Sequence, residues 1–422
     1  MLPQLSQLTF LANQALLLVA LPAQERLARW VPQSRFYDVQ AHRGGRGNTV
    51  ENTLPSFAWG LIDGATTLEL DNGITKDGVV VVWHDEEITA EKCIDTAPVV
   101  PNDPDFPYVG KFVANLTLAQ IKTLDCGSKR QDKYRTRSSF AFAEINSPSL
   151  TYPGTKISTL EEVFDFVSCA DPSHQILWNI ESKINAQYPN QTRSVEDFVT
   201  KQYAAFAASP YYNAITYQSF DWRSLVAMKK VDPYFVTSAL IDEYVFNVQH
   251  SAPVPDLPLS FFHMAHVCYF SLASQTAANP DNNTTPWLAG LRLDAFPGPT
   301  AQEQIAQAAH HVGANILSPA ATSSSVSSID PSMEGYVPFT TKGMVDEAHR
   351  LGLLVKPWTV NRMNVAEEIL NLKVDGIITD YPNVVRRLVK SYNLPAAPKY
   401  PKQRVLSCLA SHLQLQRESI SP

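Results

Sequence analysis

Short β-branched runs alternate with helical patterns from residue 37 to residue 390, and this rhythm leaves few architectures open. The runs are Val39–Arg43, Thr67–Asp71, Ile176–Glu181, Ala214–Phe220, Phe235–Ile241, Ala314–Pro319, Leu353–Thr359 and Gly376–Asp380. Helix-like segments at Leu54–Asp63, Leu160–Val167, Ala301–Val312, Gly343–Leu351 and Val365–Asn371 sit between several of them. Strand, helix, strand in succession means parallel pairing with helices outside. Eight such units favour a closed (β/α)8 barrel of TIM type over an open doubly wound sheet. No G-x-G-x-x-G follows the first strand to support a dinucleotide fold. A length of 422 residues suits one barrel enlarged by insertions.

One more run, Val79–Trp83, begins too soon after Asp71 for a parallel crossover. The turn Lys76-Asp77-Gly78 makes it the return arm of a hairpin, which sets His84 opposite Asp71 and near Glu69. Two stretches break the rhythm. Ile88–Ile157 and Gln249–Gly290 are Pro- and Asn-rich and too long for ordinary connections, so they read as loop insertions or small caps over one face of the barrel. Residues 1–36 form an N-terminal extension, 37–392 the catalytic barrel, and 393–422 a tail outside the fold, without strong periodicity.

Lys plus Arg is 34 against 41 Asp plus Glu, a net charge of −7, which argues against a nucleic-acid binder but leaves room for a cationic pocket holding one phosphate. No run of 18 apolar residues occurs, so no transmembrane span is expected. Leu8–Ala23, with the apolar centre Ala15–Leu21, has signal-peptide length, though no Lys or Arg precedes it. Sequons at Asn115, Asn190, Asn282 and Asn283 agree with export, and secretion or a cell-surface location is the expectation, with the cytoplasm as the alternative. None of the five cysteines forms a C-x-x-C pair; Cys93 and Cys126 lie in one insertion, either as a disulfide or as two free thiols.

Polar residues collect at the C-terminal ends of the expected strands, the active-site face of such a barrel. The first strand ends in His42-Arg43-Gly44, the second in Glu69-Leu70-Asp71, the hairpin return in His84-Asp85 and the third parallel strand in Glu181-Ser182-Lys183. Alternation puts Glu69 and Asp71 on one face. With Glu181 they make a hard oxygen site suited to one divalent cation, Mg²⁺ or Ca²⁺. Two histidines beside it offer a general base and a general acid, and Arg43 and Lys183 add fixed positive charge. Together they describe a pocket for a phosphate ester under attack. His263, His266, His310, His311 and His349 have no such neighbours and read as structural or solvated.

AHRGGRGNTVENTLPSF, LELDNGITKDGVVVVWHD, NIESK and KPWTVN…DGIITDYP, in that order, resemble the glycerophosphodiester phosphodiesterase family, in its fungal-like or other eukaryotic secreted type. The resemblance implies a (β/α)8 barrel, a bound divalent metal, and hydrolysis of small glycerophosphodiesters to glycerol 3-phosphate and an alcohol. It places the paired catalytic histidines on His42 and His84, the metal carboxylates on Glu69, Asp71 and Glu181, and the phosphate-binding cations on Arg43 and Lys183. Glu51 would orient the first loop and Trp358 would flank the substrate. Val50 stands where the family has Pro, Asn72 where it has an apolar residue, and N-I-E-S-K replaces I-E-I-K; none of these removes a reacting group. Two other readings stay open: a lysophospholipase D or sphingomyelinase-D-like enzyme with an apolar rim at Leu257–Phe270, and a non-catalytic surface protein of the same fold.

Overall fold

Each of the eight expected parallel strands is present. The computed structural model describes residues 35–131, 150–243, 285–323, 328 and 330–418. The strands are β1 (Asp38–Ala41), β2 (Thr67–Ile74), β4 (Leu177–Ser182), β5 (Ile215–Ser219), β6 (Thr237–Ile241), β7 (Ile316–Pro319), β8 (Leu354–Val355) and β9 (Gly376–Thr379), with β3 (Val80–Val82) as the antiparallel return. They pair in the order β8-β7-β6-β5-β4-β2-β1-β9. Backbone bonds from Asp375 to Val355, from Ile378 to Pro357 and from Val360 to Ile378, each 2.9 Å, close the circle between β9 and the β8 segment. β8 is shorter than expected, and Pro357, just beyond it, has no N–H to donate.

Helices cover the outside. α1 (Leu54–Asp63) starts at a Thr53–Ser56 capping box and stops at Gly64, whose φ of 83° a side chain would resist. α2 (Leu118–Thr123) belongs to the first insertion. α3 (Leu160–Ala170), α4 (Val195–Ala208), α5 (Trp222–Val231), α6 (Ala301–His311), α7 (Lys342–Arg350), α8 (Met363–Asn371) and α9 (Pro382–Ser391) complete the ring. None of the described helices is long and apolar enough to cross a membrane.

Three expectations need correction. The first strand stops at Ala41, because His42–Gly44 forms a 3-10 turn with Arg43 at φ 52°. The hairpin register pairs Asn72 with Val82, and Trp83 N–H bonds the Asp71 carbonyl at 2.9 Å. His84 is therefore one residue past the position opposite Asp71, since the tight turn at Gly78 spends one residue fewer than expected. The C-terminal segment is no loose tail. α10 (Lys402–Glu418) buries Val405, Cys408 and Leu409 against α1 and α3, and a Cys169–Cys408 disulfide ties it down. Its apolar stripe is only these few residues in a polar helix, too faint a period to read.

The described part of the first insertion is a small lobe whose core of Ile88, Tyr108, Val113, Leu116, Ile121, Leu124 and Ile157 packs around Val81 and Trp83 of the hairpin. The Cys93–Cys126 disulfide closes it. The signal-like segment, the Leu257–Phe270 rim, Asn282, Asn283, His263 and His266 lie outside the described residues.

Candidate active site

Strand alternation sends Glu69 and Asp71 to the same side of β2, and register places Glu181 of β4 directly beside Asp71. One ligand atom from each of the three lies within 4.8 Å of the others, and all three residues are buried. Glu69 Oε2 accepts the Arg43 backbone N–H at 2.7 Å, which is what the left-handed Arg43 achieves, and its Oε1 accepts Gln218 Nε2 at 3.2 Å. Asn52 donates to Asp71 Oδ2 at 2.7 Å, and Lys183 to Glu181 Oε1 at 2.8 Å. Asp71 Oδ1 is buried and accepts no hydrogen bond. Burial and then the charge of Asp71 push Glu69 well above the usual carboxylate range. Burial also raises Glu181 to about 7 against the pull of Lys183. Asp71 is held well below its usual value, Arg43, His84 and Lys183 overcoming the opposing effect of burial. Three crowded hard oxygen donors, one with an unanswered lone pair, fit a divalent cation.

The histidines flank this cluster. His42 Nδ1 lies 2.6 Å from Asp380 Oδ1, and Asp380 also accepts Arg46 Nε at 2.9 Å and Asn361 Nδ2 at 2.7 Å. His84 Nδ1 lies 2.7 Å from Asp85 Oδ1, whose other oxygen meets Lys92 Nζ at 2.5 Å. A carboxylate at Nδ1 fixes the tautomer that leaves Nε2 for chemistry. Nε2 of His84 is 3.1 Å from Lys183 Nζ. Burial, then the cations Arg46 and Arg43, lower His42 to about 4. Burial, then Arg43 and Lys183, lower His84 to about 3.

Glu51 is buried behind the pocket, where Arg43 Nη1 (3.0 Å), Arg46 Nη1 (3.2 Å) and Lys92 Nζ (2.6 Å) converge on it and hold it ionised against the penalty of burial. A chain of ion pairs thus runs from Asp380 through Arg46, Glu51 and Lys92 to Asp85, with a neutral histidine hydrogen-bonded at each end, His42 to Asp380 and His84 to Asp85. Trp358 stands at the mouth with its indole N–H on the Ser318 carbonyl at 2.9 Å and its ring edge-on to Phe220. Lys183 Nζ sits 5.7 Å from the centre of the Phe220 ring.

All nine residues singled out in the sequence gather at this one face. Residues that sequence reasoning did not single out complete it: Asp380 and Asn361, both inside the quoted motifs, together with Arg46, Asn52, Asp85, Lys92 and Gln218. Arg46 and Asn52 belong to the first motif and Asp85 follows His84, so each carried a positional signal. Lys92 and Gln218 carried none.

The model of the glycerophosphoryl diester phosphodiesterase family matches residues 42–284 and 298–384. A glycerophosphodiester phosphodiesterase of Caldanaerobacter subterraneus subsp. tengcongensis is 25% identical over 354 residues, 83% of this chain and 97% of the relative. One from Bacillus subtilis is 30% identical over 203 residues, 48% of this chain and 58% of the relative. Among solved structures, a phosphodiesterase of Oleispira antarctica in complex with the product sn-glycerol-3-phosphate has a TM-score of 0.52 at 17% identity, over 85% of this chain and all of its own. That last likeness speaks for the shared barrel. With the family model matched over most of its length, this chain belongs to the glycerophosphoryl diester phosphodiesterase family.

Proposed function

We propose that the chain hydrolyses small glycerophosphodiesters to glycerol 3-phosphate and an alcohol, with His42 and His84 as the acid–base pair. The observation that carries this reading is the matched pair of imidazoles, each held through Nδ1 by a carboxylate, on either side of the acidic triad. Glu69, Asp71 and Glu181 would hold a divalent cation, Mg²⁺ or Ca²⁺, which would supply Lewis-acid polarisation of a non-bridging phosphoryl oxygen. Arg43 and Lys183 bind the phosphate charge, and Trp358 flanks the substrate.

One imidazole Nε2 accepts the proton of the attacking hydroxyl, from water directly or from the neighbouring glycerol hydroxyl, in which case a cyclic phosphate forms first and a water opens it to glycerol 3-phosphate in a second step. The P–O bond to the alcohol breaks, and the other imidazole returns a proton to the departing oxygen. Both rings are neutral at pH 7 in the free protein, so the acid must gain its proton on binding. Burial depresses the imidazoles most, and cations add to it. The substrate itself helps, because its negative phosphate offsets two of those cations, Arg43 and the Lys183 beside His84. Glu51 keeps Arg43 extended toward the acids.

The two disulfides and the exposed sequon asparagines Asn115 and Asn190 support secretion or a cell-surface location. The relative matched over nearly its whole length is bacterial, which lends nothing to a eukaryotic secreted type. The test is a substrate panel on metal-stripped and reloaded protein. Glycerophosphocholine should be turned over with Mg²⁺ or Ca²⁺ restored and not after exhaustive chelation. Turnover confined to lysophosphatidylcholine would reassign the substrate, and turnover of neither with metal added would reject an enzyme.

A further inference from the structure

The interior of a (β/α)8 barrel is ordinarily filled by layers of bulky branched side chains. Below the mouth, this one buries Asp38, Gln40, Thr67, Asn179, Gln218 and Lys356. They point into the barrel because they bond across it: Asn179 of β4 reaches Gln40 of β1 past β2, and Lys356 reaches Asp38 past β9. Such a core is costly unless each group is answered, and an apolar filling would hold the barrel at least as well.

The bonds have a direction. Asp38 accepts Lys356 Nζ at 2.8 Å, Thr67 Oγ1 at 2.6 Å and Gln40 Nε2 at 2.8 Å. A carboxylate can only accept, so Gln40 must face it with its amide NH₂ and turn its carbonyl toward Asn179. Asn179 answers with Nδ2, which donates at 2.7 Å to Gln40 Oε1 and at 2.9 Å to Gln218 Oε1. Both hydrogens of that one amide are used, and Gln218 is left with its NH₂ aimed at Glu69 Oε1, 3.2 Å away. The ion pair at the barrel's base therefore decides which end of an amide meets the carboxylate at its mouth. With the Arg43 N–H on Oε2, each oxygen of Glu69 has one fixed donor, which sets the plane of the carboxylate and leaves its other lone pairs to the ion site.

We propose that Asn179 and Gln218 are positioning residues of the metal site, the upper links of an amide relay that starts at Asp38–Lys356 and orients Glu69. The proposal rests on the reading of Glu69, Asp71 and Glu181 as cation ligands. Asn179→Asp tests it most sharply, because an acceptor replaces the double donor and Gln218 must turn its carbonyl toward Glu69. Gln218→Met removes the last donor at similar volume.

The experiment titrates Mg²⁺ into the metal-stripped full chain by calorimetry, with Mn²⁺ paramagnetic resonance reporting the bound ion's environment. Metal-free melting is recorded for each variant. Each substitution should weaken Mg²⁺ binding about tenfold, the lower end for a partner that orients a ligand. A purely structural role would lower the metal-free melting temperature and leave Mg²⁺ affinity and the Mn²⁺ signal as in the parent protein, and that result overturns the relay. If Asn179→Asp does not fold, Gln218→Met decides alone. A parent protein that binds no divalent ion, or a Glu69→Gln variant that binds as well as the parent, would overturn the metal reading and the relay with it. Unchanged affinity in the relay variants alone would overturn only the relay.

Discussion

His42 gives its Nδ1 to Asp380, immediately after β9, and Asp380 is in turn held by Arg46 and Asn361, all within the barrel's own loops. His84 gives its Nδ1 to the next residue, Asp85, and what holds Asp85 is Lys92 from the inserted lobe. One imidazole is therefore braced by the loops that follow β1, β8 and β9, the other by the inserted lobe. The barrel side is fixed by strand pairing, β1 against β9 from Asp38–Gly376 to Ala41–Thr379. The lobe side depends on a separate small core and a disulfide next to Lys92. A reaction that needs both rings is then only as well ordered as the lobe.

The strongest challenge to this comparison removes the rings themselves. His42→Ala and His84→Ala should each lower kcat by about 10²- to 10⁴-fold with folding intact, the range for lost acid–base help. Steady-state rates with circular dichroism decide this, and near-normal turnover in either variant would end the symmetry of the pair.

Next come the braces. Asp380→Asn and Asp85→Asn should cost about 10- to 100-fold, less than the rings, since they orient but do not react. Lys92→Met should reproduce the Asp85 effect, and ¹⁵N NMR should find the tautomer of His84 disturbed and that of His42 unchanged. If both rings respond equally, the network through Glu51 couples them, and the division between scaffold and lobe fails.

Acid should unfold the metal-free protein by the same groups. The folded pKa values of about 4 for His42 and about 3 for His84 lie below the 6.5 of the free side chain. Between these values the unfolded chain binds more protons at the two histidines, so their contribution to stability is fullest above about pH 6.5 and falls as pH drops toward 4, against the opposite contribution of the raised carboxyls Glu181 and Glu69. His42→Gln should flatten part of that slope in melts recorded from pH 7.5 to 4. Glu181, raised to about 7, must lose its proton to ligate, so Mg²⁺ affinity should climb as pH rises through 7.

The smallest effect on activity separates the disulfides. Either one constrains the unfolded chain by about 4–5 kcal/mol on loop-length grounds. Cys93→Ser should lower kcat through Lys92 and His84, whereas Cys169→Ser, in the last turn of α3, should lower the melting temperature and spare kcat. Equal kcat losses would show that lobe order is not what limits His84.

The sequence was most readable where local chemistry and tertiary role agree. Alternation along Thr67–Asp71 and the turn before Gly78 located Glu69, Asp71 and His84 because period and turn residues act over a few positions. The register slip at the hairpin came from one residue of turn length, which spacing alone does not fix. Lys92 was illegible because its partners, Asp85 and Glu51, meet it only after the lobe folds. Gln218 was illegible for a related reason, since an inward amide and an outward one look alike until the barrel closes, whereas Asn179 carried a positional signal two residues before Glu181 in N-I-E-S-K. α10 was hidden by its thin stripe and by a half-cystine whose partner lies 239 residues away.

That long-range bond changes what cutting the chain would do. A protease that cleaves anywhere between Cys169 and Cys408 severs the backbone without separating the pieces, because the first piece ends beyond one sulfur and the second carries the other. A nicked molecule would keep its mass on a non-reducing gel and part into two bands only with reductant. The backbone can thus be broken while the last described helix stays bolted to α3.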